Sequence, residues 1–143
     1  MSIPHLHVHT TYSFNDPHAT ASIPELAAAA KKHNIPAMAI TDHGFAFGAA
    51  GFIRECQKAG IKPIIGCEVY VAGEDGELSH LTLLCENNLG YENLIRLTVE
   101  SVIRSYPKTP AISKELLRKY NKGLIALSGC FGGEVGNAGA ADS

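Results

Sequence analysis

The alternation of apolar runs with helical patterns is the feature that most limits how this chain can fold. Five runs have the length of β-strands, and they cover residues 6–10, 37–41, 62–72, 80–85 and 123–128. Alternation of this kind is typical of a parallel sheet whose strands are connected by crossover helices. The sequence therefore predicts an α/β fold.

Helix boundary signals lie between these runs. Ser22 and Glu25 form an S-x-x-E capping box ahead of an alanine-rich stretch, and Pro24 suits a first helical turn. Three further helices are predicted, over residues 49–59, 91–104 and 113–120. Their positions between the apolar runs agree with crossover connections.

Composition and charge restrict the function. The 143 residues suit one domain, and 12 Lys and Arg against 14 Asp and Glu give a net charge of −2. No strong positive field is therefore available to hold a polyanion, so phosphate chemistry would need positive charge from bound metal. The four cysteines include no C-x-x-C pair, which favours reduced thiols. With neither a secretory signal nor a membrane-length apolar run in the sequence, we expect a cytoplasmic protein without membrane contact.

Two clusters of possible metal ligands follow the first two apolar runs. His7 and His9 are two residues apart and share one face of an extended strand, while Asp42 and His43 come directly after the second run. Because the carboxyl ends of parallel strands meet at one edge, both clusters are predicted to converge on a metal site. Glu68 adds a carboxylate after the apolar segment 63–65 of the third run. A His-x-His pair alone would equally suit a polar strand edge.

Other candidate residues have simpler structural explanations. Asp16 precedes Pro17, and Asp-Pro commonly begins a turn. Cys130 could be a buried structural thiol. His5 is expected to face away from the site, and His33 is expected to be a solvated helix-end residue.

Several segments of the sequence resemble a known family. They are His5 to Thr10, Tyr12-Ser13 with Asp16, 39–44 with 47–48, 60–68, 80–84 with 90–94, and 123–130. These segments resemble the PHP (polymerase and histidinol phosphatase) domain. Those from residue 60 onward resemble the version found in bacterial replicative DNA polymerase III alpha subunits.

The resemblance implies a fold and a set of metal ligands. The fold would be a distorted seven-stranded βα barrel of the TIM-like PHP type, of which this chain would be a truncated part. The domain would cover residues 1–131, and the Gly/Ala-rich composition of residues 132–143 predicts a flexible tail there. Its rim would hold two or three divalent ions, zinc or manganese or else iron. Carried over by position, the ligands would be His7, His9, Asp16, His43, Glu68, His80 and Cys130. Of these, His7, His9, His43 and Glu68 would act in catalysis through the metal, and Asp42 would fix the rim without being a ligand.

The function implied is metal-dependent phosphoester hydrolysis, in the form of a 3′→5′ exonuclease acting on a DNA 3′ end. The implied partners are the rest of a polymerase alpha subunit and a separate proofreading exonuclease subunit. Two alternatives remain open: a catalytically inactive docking module of the polymerase, and a stand-alone phosphatase of the histidinol phosphatase type. DNA synthesis itself is not expected in this segment.

The sequence departs from the family pattern at three places. Pro17 replaces the usual glycine after Asp16, so His18 is an alternative ligand. No Asp-x-His pair follows Cys130, although the family completes its site with one. His80 precedes its strand, which in a strictly parallel sheet would put it at the wrong edge unless the loop over residues 73–79 folds across the mouth.

Overall fold

The structure is a computed structural model that describes residues 3–73, 76–105 and 109–141. The chain forms two compact units, the first ending at Cys67 and the second beginning at Glu68. The strand that contains both residues therefore contributes its first part to one unit and its second part to the other.

The first unit contains two helices and a parallel strand pair. Its elements are α1 (Ile23–Lys32), β1 (Ala37–Ile40), α2 (Ala49–Ala59) and the first part of β2 (Lys62–Ala72). β1 pairs in parallel with β2, with Ala37 opposite Lys62 and Ile40 opposite Ile65. The bounds predicted for α2 and β2 are confirmed.

Local capping and apolar packing explain this arrangement. The Glu25 carboxylate accepts a hydrogen bond from the Ser22 backbone N–H at 3.0 Å, as the capping box predicts, and a second one from the Ser22 hydroxyl at 2.6 Å. Gly60 ends α2 with a φ of +75°, a left-handed conformation that glycine adopts without strain. Buried side chains from α1, α2 and β1 then form the core, including Ile23, Ile40 and Phe52.

The stretch 6–10, predicted as the first strand, is not a regular strand. It lies beside β1, because the Thr41 N–H donates to the Val8 carbonyl at 2.9 Å. The Val8 N–H, however, donates to the Thr41 hydroxyl at 2.8 Å, and the Thr10 N–H donates to the Asp42 carboxylate. Side chains thus take the place of backbone carbonyls, which interrupts the ladder that the prediction assumed.

The second unit contains a mixed sheet. Its elements are the rest of β2, β3 (Leu78–Cys85), α3 (Asn88–Ser105), β4 (Ala111–Ser113), α4 (Lys114–Lys119), β5 (Leu124–Leu127) and α5 (Glu134–Ala141). β2 pairs in parallel with β4, whereas β3 lies between β2 and β5 and is antiparallel to β5. The all-parallel sheet predicted from the sequence is therefore wrong. β4 is an additional strand that the apolar runs did not reveal.

Helix α3 packs against β3, β4 and β5 through buried Leu94 and Leu97. A close approach fixes this packing, because a Cβ on Gly90 would lie 1.8 Å from the Gly123 carbonyl oxygen. The Asn93 side chain also donates to the Lys122 carbonyl at 2.8 Å. These contacts attach the start of β5 to α3.

The last two elements differ in exposure and in how they were predicted. β5 pairs with β3 in the part of the chain that the structure describes, and Ile125 on it is 47% exposed. Helix α5 lies within the stretch 132–143 that the sequence predicts to be a flexible tail, so that stretch has regular structure over Glu134–Ala141. Residues 142 and 143 are outside the described residues, and the domain boundary at 131 stays a prediction.

Among the described helices, none combines the length and apolar character needed to cross a bilayer.

Candidate metal centre

The first unit brings several of the predicted ligands together. His9, Asp16 and His43 each offer one ligand atom, and these atoms lie within 4.8 Å of one another. The His43 ring stacks on the His9 ring at a centroid distance of 4.4 Å, and the Nε2 atoms of His7 and His9 are 3.1 Å apart. His9, Asp16 and His43 are all partly exposed, so an ion could reach them from solvent.

Asp16 belongs both to a turn and to the ligand group. Its Oδ1 accepts a hydrogen bond from the His18 backbone N–H at 2.9 Å, while its Oδ2 lies 3.9 Å from His43 Nε2. The two explanations offered by the sequence are therefore compatible. Among the described residues, the groups able to hold a metal include Asp16 and do not include the exposed His18.

Asp42 is buried beneath this group and holds the first loop in place. Its carboxylate accepts hydrogen bonds from the Thr10 N–H, the Thr10 hydroxyl (2.8 Å) and the Ser13 hydroxyl (3.1 Å). The buried Cys67 thiol donates to the Asp42 backbone carbonyl at 3.2 Å. These bonds fix the backbone on both sides of the histidines, and they match the positioning role that the family resemblance implies for Asp42.

The hydrogen bonds of Ser13 determine which nitrogen of His9 carries the proton. The Ser13 hydroxyl has one proton, which it donates to the Asp42 carboxylate at 3.1 Å. Ser13 Oγ also accepts the His43 backbone N–H at 3.2 Å and lies 3.2 Å from His9 Nδ1. With its proton already used, Ser13 is an acceptor toward His9, so Nδ1 carries the hydrogen. His9 Nε2 then presents the lone pair that a metal ligand requires.

The second unit brings together the other three predicted ligands. Glu68 is a buried residue of β2, and its Oε1 lies 3.2 Å from Nδ1 of His80 on β3. The thiol of Cys130, in the loop after β5, is 3.5 Å from His80 Nδ1 and 3.8 Å from Glu68 Oε1. Cys130 is exposed, so a buried structural thiol is the wrong explanation for it.

The mixed sheet explains why His80 reaches Glu68. β3 follows β2 after a short connection, whereas parallel neighbours need a crossover of about a dozen residues or more. The beginning of β3 therefore lies beside the end of β2, where the Ser79 hydroxyl contacts the Val71 carbonyl, and the His80 side chain reaches Glu68. Residues 74 and 75 of that connection lie outside the described residues. The expectation of a strictly parallel sheet is wrong, and His80 as a ligand stays a prediction.

The cysteines differ in environment. Burial raises the pKa of the Cys85 thiol to about 11, and burial together with the Glu55 charge raises the pKa of Cys56. Both thiols are therefore protonated at neutral pH and are poor metal ligands. Cys130 is the cysteine that lies beside an imidazole and a carboxylate.

A cavity of about 330 Å³ adjoins His80 in the second unit. Lys114 and Arg118 of α4 line it, together with Glu134 of α5. The Lys114 ammonium forms an ion pair with the Glu134 carboxylate at 2.6 Å. The cavity thus has cationic side chains without the long basic stripe of many nucleic-acid-binding proteins.

Three residues that support the site have no role predicted from the sequence: Ser13, Thr10 and Cys67. Ser13 and Thr10 follow the His-x-His pair within one loop, and a buried aspartate must find donors nearby. That requirement is the signal in the sequence that points to Ser13 and Thr10 as donors to Asp42. Nothing in the spacing shows that Cys67 donates to Asp42, because the two residues are 25 positions apart.

Similarity to known proteins shows the family to which the chain belongs. The PHP domain model matches residues 5–142. The chain belongs to the PHP domain family. Its curated relatives include the DNA polymerase III subunit alpha of Borreliella burgdorferi, 46% identical over 141 residues, and that of Thermus aquaticus, 42% identical over 144 residues. These matches cover 92% of this chain and 12% of each relative, so the chain spans about an eighth of their length.

Solved structures confirm the predicted α/β fold of the PHP type. A protein assigned as a metal-dependent phosphoesterase from Bifidobacterium adolescentis aligns with a TM-score of 0.55 at 19% identity, over 70% of this chain and 33% of that one. An amidohydrolase from Chromobacterium violaceum aligns with a TM-score of 0.56 at 21% identity, over 68% of this chain and 32% of that one.

Proposed function

We propose that this chain is the metal-binding part of a phosphoesterase in a DNA polymerase III alpha subunit, where it hydrolyses the phosphodiester at a DNA 3′ end. One observation carries the proposal: ligand atoms of His9, Asp16 and His43 lie within 4.8 Å of one another. Two imidazoles and a carboxylate suit zinc, manganese and iron alike, so the donor set fits a divalent ion.

The comparisons support this context. Identities of 40–46% to DNA polymerase III alpha subunits support an origin in such a subunit. The rest of that subunit is the nearest partner we propose, and a separate proofreading subunit is a second one. Polymerisation we assign to parts of the relatives outside this segment, and we propose a cytoplasmic location.

The chemistry divides between the ion and the protein. A bound divalent ion neutralises phosphate charge and makes water a better nucleophile. His9 and His43 offer imidazole nitrogens, Asp16 offers a carboxylate, and His7 extends the set through its contact with His9. Asp42 and Ser13 hold the first loop, so the ligands keep their geometry when an anionic substrate arrives.

Glu68, His80 and Cys130 form a second candidate ligand set. A carboxylate, an imidazole and a thiol within 3.8 Å of one another suit zinc better than manganese, because a thiolate is a soft ligand. Burial of Glu68 favours retention of a cation, since an ionised carboxylate away from water needs a counter-charge.

Metal analysis combined with hydrolysis of single-stranded DNA tests the proposal. We expect stoichiometric divalent metal in the purified protein and manganese-stimulated release of the terminal nucleotide. His43→Ala should lose metal and activity, whereas His33→Ala, an exposed histidine at the end of α1, should keep both. Hydrolysis that persists unchanged in His43→Ala would show that this group is not the catalytic site. A folded protein without metal or activity would instead favour the docking module.

A further inference from the structure

Three phenylalanines of the first unit form a partly exposed cluster, called here the aromatic platform: Phe14, Phe45 and Phe47. The rings of Phe45 and Phe47 stack at a centroid distance of 4.6 Å with 12° between their planes. Phe14 meets Phe45 edge to face at 5.7 Å. Phe47 is 70% exposed and Phe14 37% exposed, so aromatic surface remains available to solvent.

The aromatic platform borders the His9, Asp16 and His43 group. The Phe14 backbone N–H donates to the His43 carbonyl at 3.0 Å, and Asp16 follows Phe14 by two residues. Gly44 between His43 and Phe45 has a φ of +76°, and a Cβ placed there would lie 3.4 Å from Phe14 Cβ. The same two turns therefore position both the candidate metal ligands and the rings.

We propose that the aromatic platform stacks against the base of the terminal nucleotide of single-stranded DNA while its phosphodiester lies at the metal ligands. This inference rests on the proposed function and adds the substrate feature that the site recognises. Aromatic side chains stack with the π-face of any base, so recognition would not depend on sequence.

The charge of the chain favours stacking over phosphate contacts as the source of affinity. Proteins that hold nucleic acid by its backbone use many Lys and Arg side chains, and their binding weakens steeply with salt. The net charge of −2 gives no such field here. Exposed rings next to a site for an anionic phosphate supply the missing interaction without positive charge.

The test measures binding of a short single-stranded oligonucleotide with 2-aminopurine as its 3′-terminal base, in chelator so that no hydrolysis occurs. Stacking quenches 2-aminopurine fluorescence, which gives both the contact and the dissociation constant. Phe47→Ala should raise that constant about tenfold, within the range of one base-aromatic contact. Val99→Ala, which shortens an exposed apolar residue of α3, should leave it unchanged.

A second variant keeps the test informative if the alanine variant misfolds. The chain has no Trp, so Phe47→Trp introduces a single indole reporter while it keeps an aromatic ring. We expect this variant to bind the oligonucleotide as the parent does, with its indole emission quenched on binding.

The possible results distinguish failure of the stacking proposal from failure of the proposed function. Equal affinity of the parent and Phe47→Ala, or equal affinity for an oligonucleotide ending in an abasic nucleotide, would overturn the platform even if the protein hydrolyses DNA. These equal affinities are also expected if a protein partner, and not DNA, covers the aromatic platform. Phe47-dependent quenching in a protein that hydrolyses no phosphodiester would support the platform and remove the proposed function.

Discussion

Replacement of Ser13 by alanine tests how the first loop prepares the candidate metal site. The Ser13 hydroxyl contacts His9 Nδ1 at 3.2 Å, Asp42 Oδ1 at 3.1 Å and the His43 N–H at 3.2 Å. Its removal takes away the acceptor that keeps the His9 hydrogen on Nδ1. Loss of a partner behind a metal-ligating histidine typically weakens metal binding about 10- to 100-fold. We therefore expect Ser13→Ala to raise the dissociation constant for zinc or manganese by that factor.

Competition with a chromophoric chelator at fixed pH measures this constant directly. Ser13→Thr keeps a hydroxyl and should recover most of the affinity. Ser79→Ala is the matched control, because its hydroxyl makes one long bond of 3.5 Å to the Val71 carbonyl. Nitrogen NMR of the histidines adds an independent readout, since His9 should carry its hydrogen on Nδ1 in the parent. Unchanged metal affinity in Ser13→Ala, or a parent His9 protonated on Nε2, would refute the reasoning.

Three further predictions concern stability and reactivity. Hydrogen bonds from the Ser22 side chain and backbone hold the pKa of Glu25 below its usual value of about 4.5. The resulting stabilisation of the folded state is therefore complete above pH 4.5, and it is lost as the pH falls through the lowered pKa. Urea midpoints across that acid range should fall less steeply in Glu25→Gln, and parallel curves would contradict the role of the cap. Exposed Cys130 should react first with a thiol reagent at neutral pH, and zinc should protect it. Cys85 should react slowly, because burial raises its pKa to about 11. Mass spectrometry that shows Cys85 reacting before Cys130 would contradict this prediction. Phe52→Ala removes a fully buried ring and should lower the free energy of unfolding by about 3–5 kcal/mol in chemical denaturation; a loss below about 1 kcal/mol would show that Phe52 is not a core residue.

The fold was predictable where local signals and apolar pattern agree. The α2 and β2 ranges match because Gly60 ends the helix and a long apolar run follows at once. α3 begins at Asn88, earlier than predicted, because Asn87 Oδ1 accepts the Gly90 N–H and opens the helix before its apolar repeat begins. Strand direction was not predictable in this way, since an apolar run has the same pattern in parallel and antiparallel pairs.

The sequence predicts candidate ligands for the site but not the contacts that hold them in place. The residue types of His9 and His43 and their places after the apolar runs predict a metal site, whereas the family resemblance alone implies Asp16 as a ligand. Ser13 was not selected, because a serine in a loop has many ordinary explanations and its role depends on three contacts that only the folded chain creates. The tautomer of His9 likewise follows from the arrangement of hydrogen-bond donors and not from the sequence.

The exposure of β5 has a consequence for handling this chain in solution. Its residues are all apolar, Ile125 is 47% exposed, and in the described part of the chain it has β3 on one side. An open apolar edge of this kind is a template for intermolecular β-pairing and aggregation. A lysine in place of Ala126 would place charge on that edge and should improve solubility without any change at the histidines.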